Sequence, residues 1–206
     1  HTMLAIGHDL KTPLARMRLR LDDGEVDPEV REGLDHDIEE MRMLLDSIQA
    51  YVDTGGANIP AERIDLAVMA ETLVDTAADR GANATYSGLS SLEIMARPVS
   101  IRRALSNLIE NALHYGGNVR VSLRRDGGAA EITVDDDGPG IPEDRITDAL
   151  QPFVRLDSSR ARDTAGMGLG LPIVRKAVRL EGGTLDLRNR AEGGLRATIR
   201  LPLERA

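Results

Sequence analysis

The chain has 206 residues, a formal net charge of −8 and no cysteine. That length suits one or two domains. The missing thiols exclude disulfides and thiolate metal sites, and the acidic balance argues against general nucleic-acid binding. With one Phe, three Tyr and no Trp, the core has to be aliphatic. No apolar run approaches the ~20 residues of a membrane-spanning helix. The chain opens in mid-pattern at His1-Thr2-Met3, so it is expected to be a fragment of a longer protein.

The first predicted element is a helical hairpin. Met3, Gly7, Leu10, Leu14, Met17 and Leu21 alternate four and three residues apart, and Leu34, Ile38, Met41, Leu45, Ile48 and Val52 repeat the pattern. Each set makes one stripe along a helix. Asp22 to Pro28, with Gly24 and Pro28 as breakers, predicts the turn between them. Two helices alone enclose their stripes poorly. A second copy would complete a four-helix bundle, so a homodimer is expected; the alternative is packing on the rest of the same chain. Thr54 to Pro60 reads as a linker. It divides the chain into a hairpin at 1–57 and a second domain at 58–206.

In the second domain, Leu66 to Arg80 predicts an amphipathic helix ended by Gly81. Leu92 to Ala96 follows as a strand. Arg97-Pro98 opens a helix running to Tyr115, stopped by Gly116-Gly117. Val119 to Arg124 and Ala130 to Asp135 alternate like paired strands, joined by Asp126-Gly127-Gly128. Gly168 to Leu180 is a helix, and Thr184 to Arg188 and Leu195 to Leu201 are the last strands. The expected fold class is α+β, with helices on one face of a mixed sheet.

Chemistry concentrates in a few places. His8 follows the seam position Gly7 and so points away from the seam. Thr12, four residues on, shares its face at about 6 Å between Cβ atoms. A carboxylate at Asp9 suits the proton-bearing imidazole nitrogen, fixing the tautomer and supporting the cation formed when the other nitrogen attacks. Thr12 suits orienting a water against phosphohistidine or a partner's phosphoryl group. The bland alternative is a solvated histidine. Against it stands Pro13, a breaker costing roughly 3 kcal/mol inside an otherwise clean heptad.

Asn107 and Asn111 lie four apart on one helix face, with Glu110 beside them and His114 and Tyr115 at the end. Asn oxygen is a hard, neutral donor suited to Mg²⁺ held mainly by phosphates. Asp136, Gly138 and Gly140 have D-x-G-x-G spacing at a strand end. The glycines permit close approach of a ligand to the backbone, and the carboxylate of Asp136 is suited to the exocyclic amine of adenine; a plain acidic turn is the alternative. Gly166, Gly168 and Gly170 precede the helix from Leu171, an arrangement whose N–H groups bind phosphate without side chains. The polar stretch Gln151 to Ala165 reads as a lid, with Phe153 anchoring one end. No P-loop sequence is present.

The order of these motifs resembles the catalytic core of a sensor histidine kinase of two-component systems, most like the EnvZ-like osmosensor group. His8 to Leu14 resembles the H box, Asn107 to Tyr115 the N box, Asp136 to Gly140 the G1 box, Pro152 to Arg155 the F box and Gly166 to Gly170 the G2 box. The resemblance covers essentially the whole chain. It implies a dimerising phosphotransfer hairpin followed by an α/β sandwich of the Bergerat (GHKL) ATPase type.

It also implies that His8 accepts the γ-phosphoryl group of ATP, that Asp9 assists as base and that Thr12 supports phosphatase activity. Asn111 would ligate Mg²⁺ through ATP, with Asn107 beside it, and His114 and Arg155 would lie near the phosphates. Tyr115, Asp136, Gly138, Gly140, Phe153, Gly166, Gly168, Gly170 and Leu171 complete the implied ATP site. The implied partner is the receiver domain of a response regulator. Sensor and membrane segments are expected upstream in the parent protein, which would sit in the bacterial inner membrane, with this fragment soluble and cytoplasmic. Two departures from the family pattern are Gly7, where Ser is usual, and His114, where Lys or Arg is common. The competing readings are a gyrase- or chaperone-like ATPase clamp and a degenerate kinase serving as scaffold.

Overall fold

The computed structural model describes residues 59–154 and 168–203, together with Leu14, Met17, Leu21, Asp27, 30–35, Ile38, Met41, Leu45, Ile48, Gln49 and Tyr51. All of the described residues before Ile59 except Asp27 are helical. Leu14, Leu21 and Ile38 are buried together, with Leu45 packed against them. These four belong to the two predicted stripes. Except for Asp27, the predicted turn at 22–28 lies outside the described residues, as does the linker up to 58.

Strand β1 (Glu62–Asp65) pairs antiparallel with β3 (Glu93–Ala96), Glu62 opposite Ala96. Asp65 ends β1 and starts helix α1 (Leu66–Asp79). Its Oδ1 accepts from the N–H groups of Ala67 (3.0 Å) and Val68 (3.3 Å), two of the donors a helix start leaves orphaned. The same carboxylate accepts the Ser91 hydroxyl at 2.6 Å, which, with further backbone N–H groups, holds it below the usual carboxylate range against the opposing effect of burial. Leu66, Met69, Ala70 and Val74 make the buried stripe of α1, and Gly81 turns the chain away at a φ of 86°.

The main sheet has the order β2-β4-β5-β7-β6, with β2 (Asn83–Gly88), β4 (Asn118–Asp126), β5 (Ala129–Asp135), β6 (Thr184–Asn189) and β7 (Leu195–Pro202). Only β2 and β4 run parallel; the other neighbours are antiparallel. Alternation in the central strands sends Val119, Val121, Leu123, Ile132, Val134, Ala197 and Ile199 into the core. Their neighbours form a charged opposite face. Glu131 there takes Arg124 at 2.6 Å and Arg200 at 2.9 Å, and Asp135 takes Arg196 at 2.6 Å.

Helix α2 (Pro98–Gly116) lies over this core. It starts at a proline, which has no N–H to satisfy there, and ends at Gly117, left-handed at a φ of 69°, whose N–H reaches Leu113. Helix α4 (Gly170–Leu180) packs beside it, burying Ile173, Val174, Ala177 and Val178. A short 3₁₀ turn (Glu143–Arg145) and helix α3 (Ile146–Ala149) follow the β5 loop.

The α+β class and the mixed sheet with helices on one face match the expectation. Strands β1 and β2 and helix α3 were not anticipated. The first is four residues long; the second is an edge strand reading Asn-Ala-Thr-Tyr-Ser-Gly, with little apolar alternation.

Candidate nucleotide site

A cavity of about 640 Å³ opens between α2, the loop after β5 and the first turn of α4. One wall is the polar face of α2: Asn107, Asn111, His114 and Tyr115, at helical spacing. Asn107 donates Nδ2 to the Arg103 carbonyl at 2.9 Å. Gly170 lies against the Asn pair. A Cβ there would come within 3.1 Å of Asn111 Nδ2 and 3.4 Å of Asn107 Oδ1, so any side chain would fill the space beside the two amides. The rings of His114 and Tyr115 meet edge-on, 4.7 Å apart. Glu110 lies on the same helix; desolvation pushes its carboxyl above the usual range, opposed by Arg80.

Three consecutive aspartates end β5, and the fold sorts them. Asp135 points to the charged face and pairs with Arg196. Asp137 is bound by both terminal nitrogens of Arg120, by Asn118 and by Arg190. Chiefly the Arg120 guanidinium, then Asn118 and Arg190, hold its carboxyl well below the usual carboxylate range. Asp136 alone of the three lines the cavity, and it is buried. Its Oδ1 accepts the N–H groups of Gly138 (2.8 Å) and Leu195 (3.0 Å). Both bonds fall on one oxygen; among the described residues no donor reaches Oδ2. A carboxylate oxygen in a largely apolar slot is an acceptor for an amine carried on a flat ring.

Two glycines let the β5 loop close onto the end of α2. A Cβ on Gly116 would lie 2.7 Å from Asp136 Cβ, and one on Gly138 would lie 2.9 Å from the Tyr115 carbonyl oxygen. At the other end of the cavity, Gly168 has a φ of 66°, and a Cβ there would collide with the Val154 carbonyl. Gly168 also accepts the Phe153 N–H at 3.2 Å, and Val154 and Gly168 both line the cavity. Leu169 sits at the N-cap of α4 and supplies no side-chain cap. The first N–H groups of α4 therefore suit an anion.

Asn107, Asn111, His114, Tyr115, Asp136, Gly140, Gly168, Gly170 and Leu171 all line this cavity. Gly138 forms the turn beneath it. Phe153 stands apart from the wall. It has a φ of 65°, is largely exposed, and sets its ring 6.3 Å from that of Tyr51. Lys176 on α4 donates to the Tyr51 carbonyl at 2.5 Å and lies 5.4 Å above its ring. His8, Asp9, Thr12, Arg155 and Gly166 lie outside the described residues. Ile141, Ala149, Val154, Leu169 and Ile173 supply apolar lining that no motif signalled; their only sequence mark is being apolar. Among the described residues no cluster of three or more His, Asp or Glu could hold a metal by itself.

Residues 96–205 match the family model of histidine kinase-, DNA gyrase B- and HSP90-like ATPases. The chain is 36% identical over 198 residues to the sensor histidine kinase GtrS of Pseudomonas aeruginosa, covering 96% of this chain and 41% of that protein. It thus spans less than half the length of that relative. The solved histidine kinase domain of the E. coli osmosensor EnvZ is 33% identical, with a TM-score of 0.55 over 72% of this chain and 92% of that one. Full-length ShkA in complex with AMPPNP superposes with a TM-score of 0.80 at 21% identity, over 100% of this chain and 46% of that one; this likeness concerns the fold. No described helix is long and apolar enough to cross a membrane.

Proposed function

Since the chain belongs to the family of histidine kinase-, DNA gyrase B- and HSP90-like ATPases and is related to its sensor histidine kinases, we propose that it binds Mg²⁺-ATP in the α2–α4 cavity and phosphorylates its own His8. The observation that carries this reading is the polarity of the cavity. Asp136 offers a lone acceptor at one end, and the amides of Asn107 and Asn111 adjoin the uncapped start of α4 at the other.

In this reading Asp136 Oδ2 accepts the amine of adenine, and the N–H groups at the start of α4 take phosphate oxygens. Asn111 Oδ1 supplies one hard, neutral ligand, and the glycine at 170 keeps room beside it. Mg²⁺, when bound, neutralises charge building on the β- and γ-phosphates. The free nitrogen of His8 attacks the γ-phosphorus while the bond to the ADP oxygen breaks. Asp9 takes or holds the proton on the other ring nitrogen. The phosphoryl group then passes to an aspartate of a response regulator's receiver domain, and in the separate phosphatase step Thr12 orients a water that attacks the phospho-aspartate, releasing inorganic phosphate and the free carboxylate.

We assign residues 1–57 to the phosphotransfer hairpin and 58–206 to the ATP-binding domain, and propose a homodimer through the hairpin. Met17, Leu34 and Met41 belong to the apolar stripes, yet they are exposed in the single chain. A second copy would cover them. The parent protein would carry sensor and membrane segments upstream.

The test is incubation of the 206-residue chain with γ-labelled ATP. Acid-labile label is expected on the protein and absent from His8→Ala, which still binds ADP. Label persisting in His8→Ala, or inorganic phosphate released with no labelled protein, overturns the assignment.

A further inference from the structure

Asp136 is held from every side but one. Its N–H donates to the Leu195 carbonyl at 3.0 Å. Its Oδ1 accepts from Gly138 and Leu195. Its own carbonyl oxygen accepts from Arg190 Nη1 at 2.7 Å. Among the described residues, Oδ2 is then the only polar atom of Asp136 without a protein partner.

Arg190 lies after β6, 54 positions from Asp136, and does not line the cavity. Its side chain is only 14% exposed. Besides the Asp136 carbonyl, Nη1 reaches Asp137 Oδ1 at 2.7 Å and the Gly193 carbonyl at 3.2 Å. Nε sits 3.7 Å from Asp135 Oδ2. One guanidinium therefore touches all three aspartates, two by carboxylate and the middle one by backbone. Two other arginines share these acceptors: Arg120 Nη2 also meets Asp137 Oδ1, and Arg196 Nη2 also meets Asp135 Oδ2; the Asp136 carbonyl is the contact that Arg190 does not share with them. The β6–β7 turn presses from the same side, since a Cβ on Gly194 would overlap the Asp136 carbonyl oxygen.

We propose that Arg190 is a positioning residue for base selection: by gripping the Asp136 backbone it aims Oδ2 at the ring amine, and so sets the preference for a 6-amino over a 6-oxo purine. The proposal rests on the reading of the cavity as an adenine nucleotide site. A carboxylate discriminates between the two purines only if it meets the 6-position squarely. It accepts from an amine and is repelled by a carbonyl oxygen. Without Arg190, the Asp136 carbonyl loses its charged donor, while Asp135 and Asp137 each keep another arginine.

The experiment is calorimetric binding of ADP and of inosine diphosphate, without Mg²⁺, to the whole chain. Wild type is expected to favour ADP. Arg190→Met should lower the ADP preference roughly tenfold, mainly through weaker ADP binding. Arg190→Lys should restore part of it, and Arg196→Met, which breaks the pair with Asp135 alone, should leave it unchanged. Asp136→Asn should abolish it.

If Asp136→Asn loses the preference while Arg190→Met keeps it, the role of Arg190 is overturned and the adenine reading stands. If Asp136→Asn keeps the preference, the adenine reading itself falls. Equal weakening of both nucleotides in Arg190→Met marks a merely structural arginine and also overturns the proposal. Should Arg190→Met fail to fold, Arg190→Gln, which keeps bulk but loses charge and reach, is measured against the same outcomes.

Discussion

Glu181, just past the last turn of α4, accepts the backbone N–H of Arg97 at 3.3 Å and so serves the first turn of α2, 84 positions away. Its other oxygen meets Arg97 Nη1 at 3.4 Å, with the carboxylate side chain 1% and the arginine side chain 17% exposed. Arg97 Nε donates in turn to the Ile59 carbonyl at 2.9 Å. One carboxylate thus ties together the two helices that frame the cavity and, through Arg97, the chain entering the sandwich.

Glu181→Ala should destabilise the sandwich by about 3 kcal/mol, because it strands a largely buried arginine and uncaps α2. Glu181→Gln should cost less, since it keeps an acceptor for the backbone N–H. Urea denaturation of both variants checks the order. A loss of less than half a kcal/mol in Glu181→Ala would show that the pair has no net role in stability.

Gly170→Ala is expected to weaken Mg²⁺-ATP binding by roughly tenfold or more while leaving the melting temperature nearly unchanged. Alanine favours helix by up to about 1 kcal/mol, which offsets the local crowding. Its Cβ, however, would sit 3.1 Å from Asn111 Nδ2 and 3.2 Å from Asn111 Oδ1, displacing the amide proposed to meet the metal. Unchanged nucleotide affinity would sink this reading.

The carboxyl of Asp137 is held low in the folded state, so the unfolded chain binds its proton first as pH falls. The stability it contributes is fully present above its unfolded pKa of about 3.9 and is lost as pH drops below that value toward the folded one. The gap in urea midpoint between wild type and Asp137→Asn should therefore stay constant from pH 7 to about 5 and narrow below about 4. A gap that instead widens on acidification would contradict the ion cluster with Arg120 and Arg190.

Thr12→Ala should reduce dephosphorylation of the response regulator about ten- to a thousand-fold while His8 phosphorylation continues. The kinase step uses the imidazole and Asp9, which the variant leaves alone. Both rates measured on one preparation decide the matter: equal loss of both would make Thr12 a support for the helix at Pro13 rather than a guide for water.

Local pattern in the sequence determined the elements whose register repeats within a few residues. The face of α2 that carries Asn107 and Asn111, the paired alternation of β4 and β5, and the glycine stops after α1 and α2 are legible because helix and strand periods depend on near neighbours. The order of the motifs was enough to expect a nucleotide site. Tertiary structure decided what depends on distant partners. Strand β2 is polar and sits at a sheet edge, so only its pairing with β4 makes it a strand. Three adjacent aspartates look alike in sequence. They differ because Arg196, Arg190, Arg120 and the Leu195 backbone arrive from elsewhere in the chain and take the carboxylates of Asp135 and Asp137 but only one carboxylate oxygen of Asp136. Phe153 lies in the right motif yet does not line the cavity and sets its ring against Tyr51, a residue about a hundred positions earlier in the chain. No spacing of residues shows which of many oxygens will be left unpaired; that is settled only when the chain closes on itself and the other acceptors are already taken.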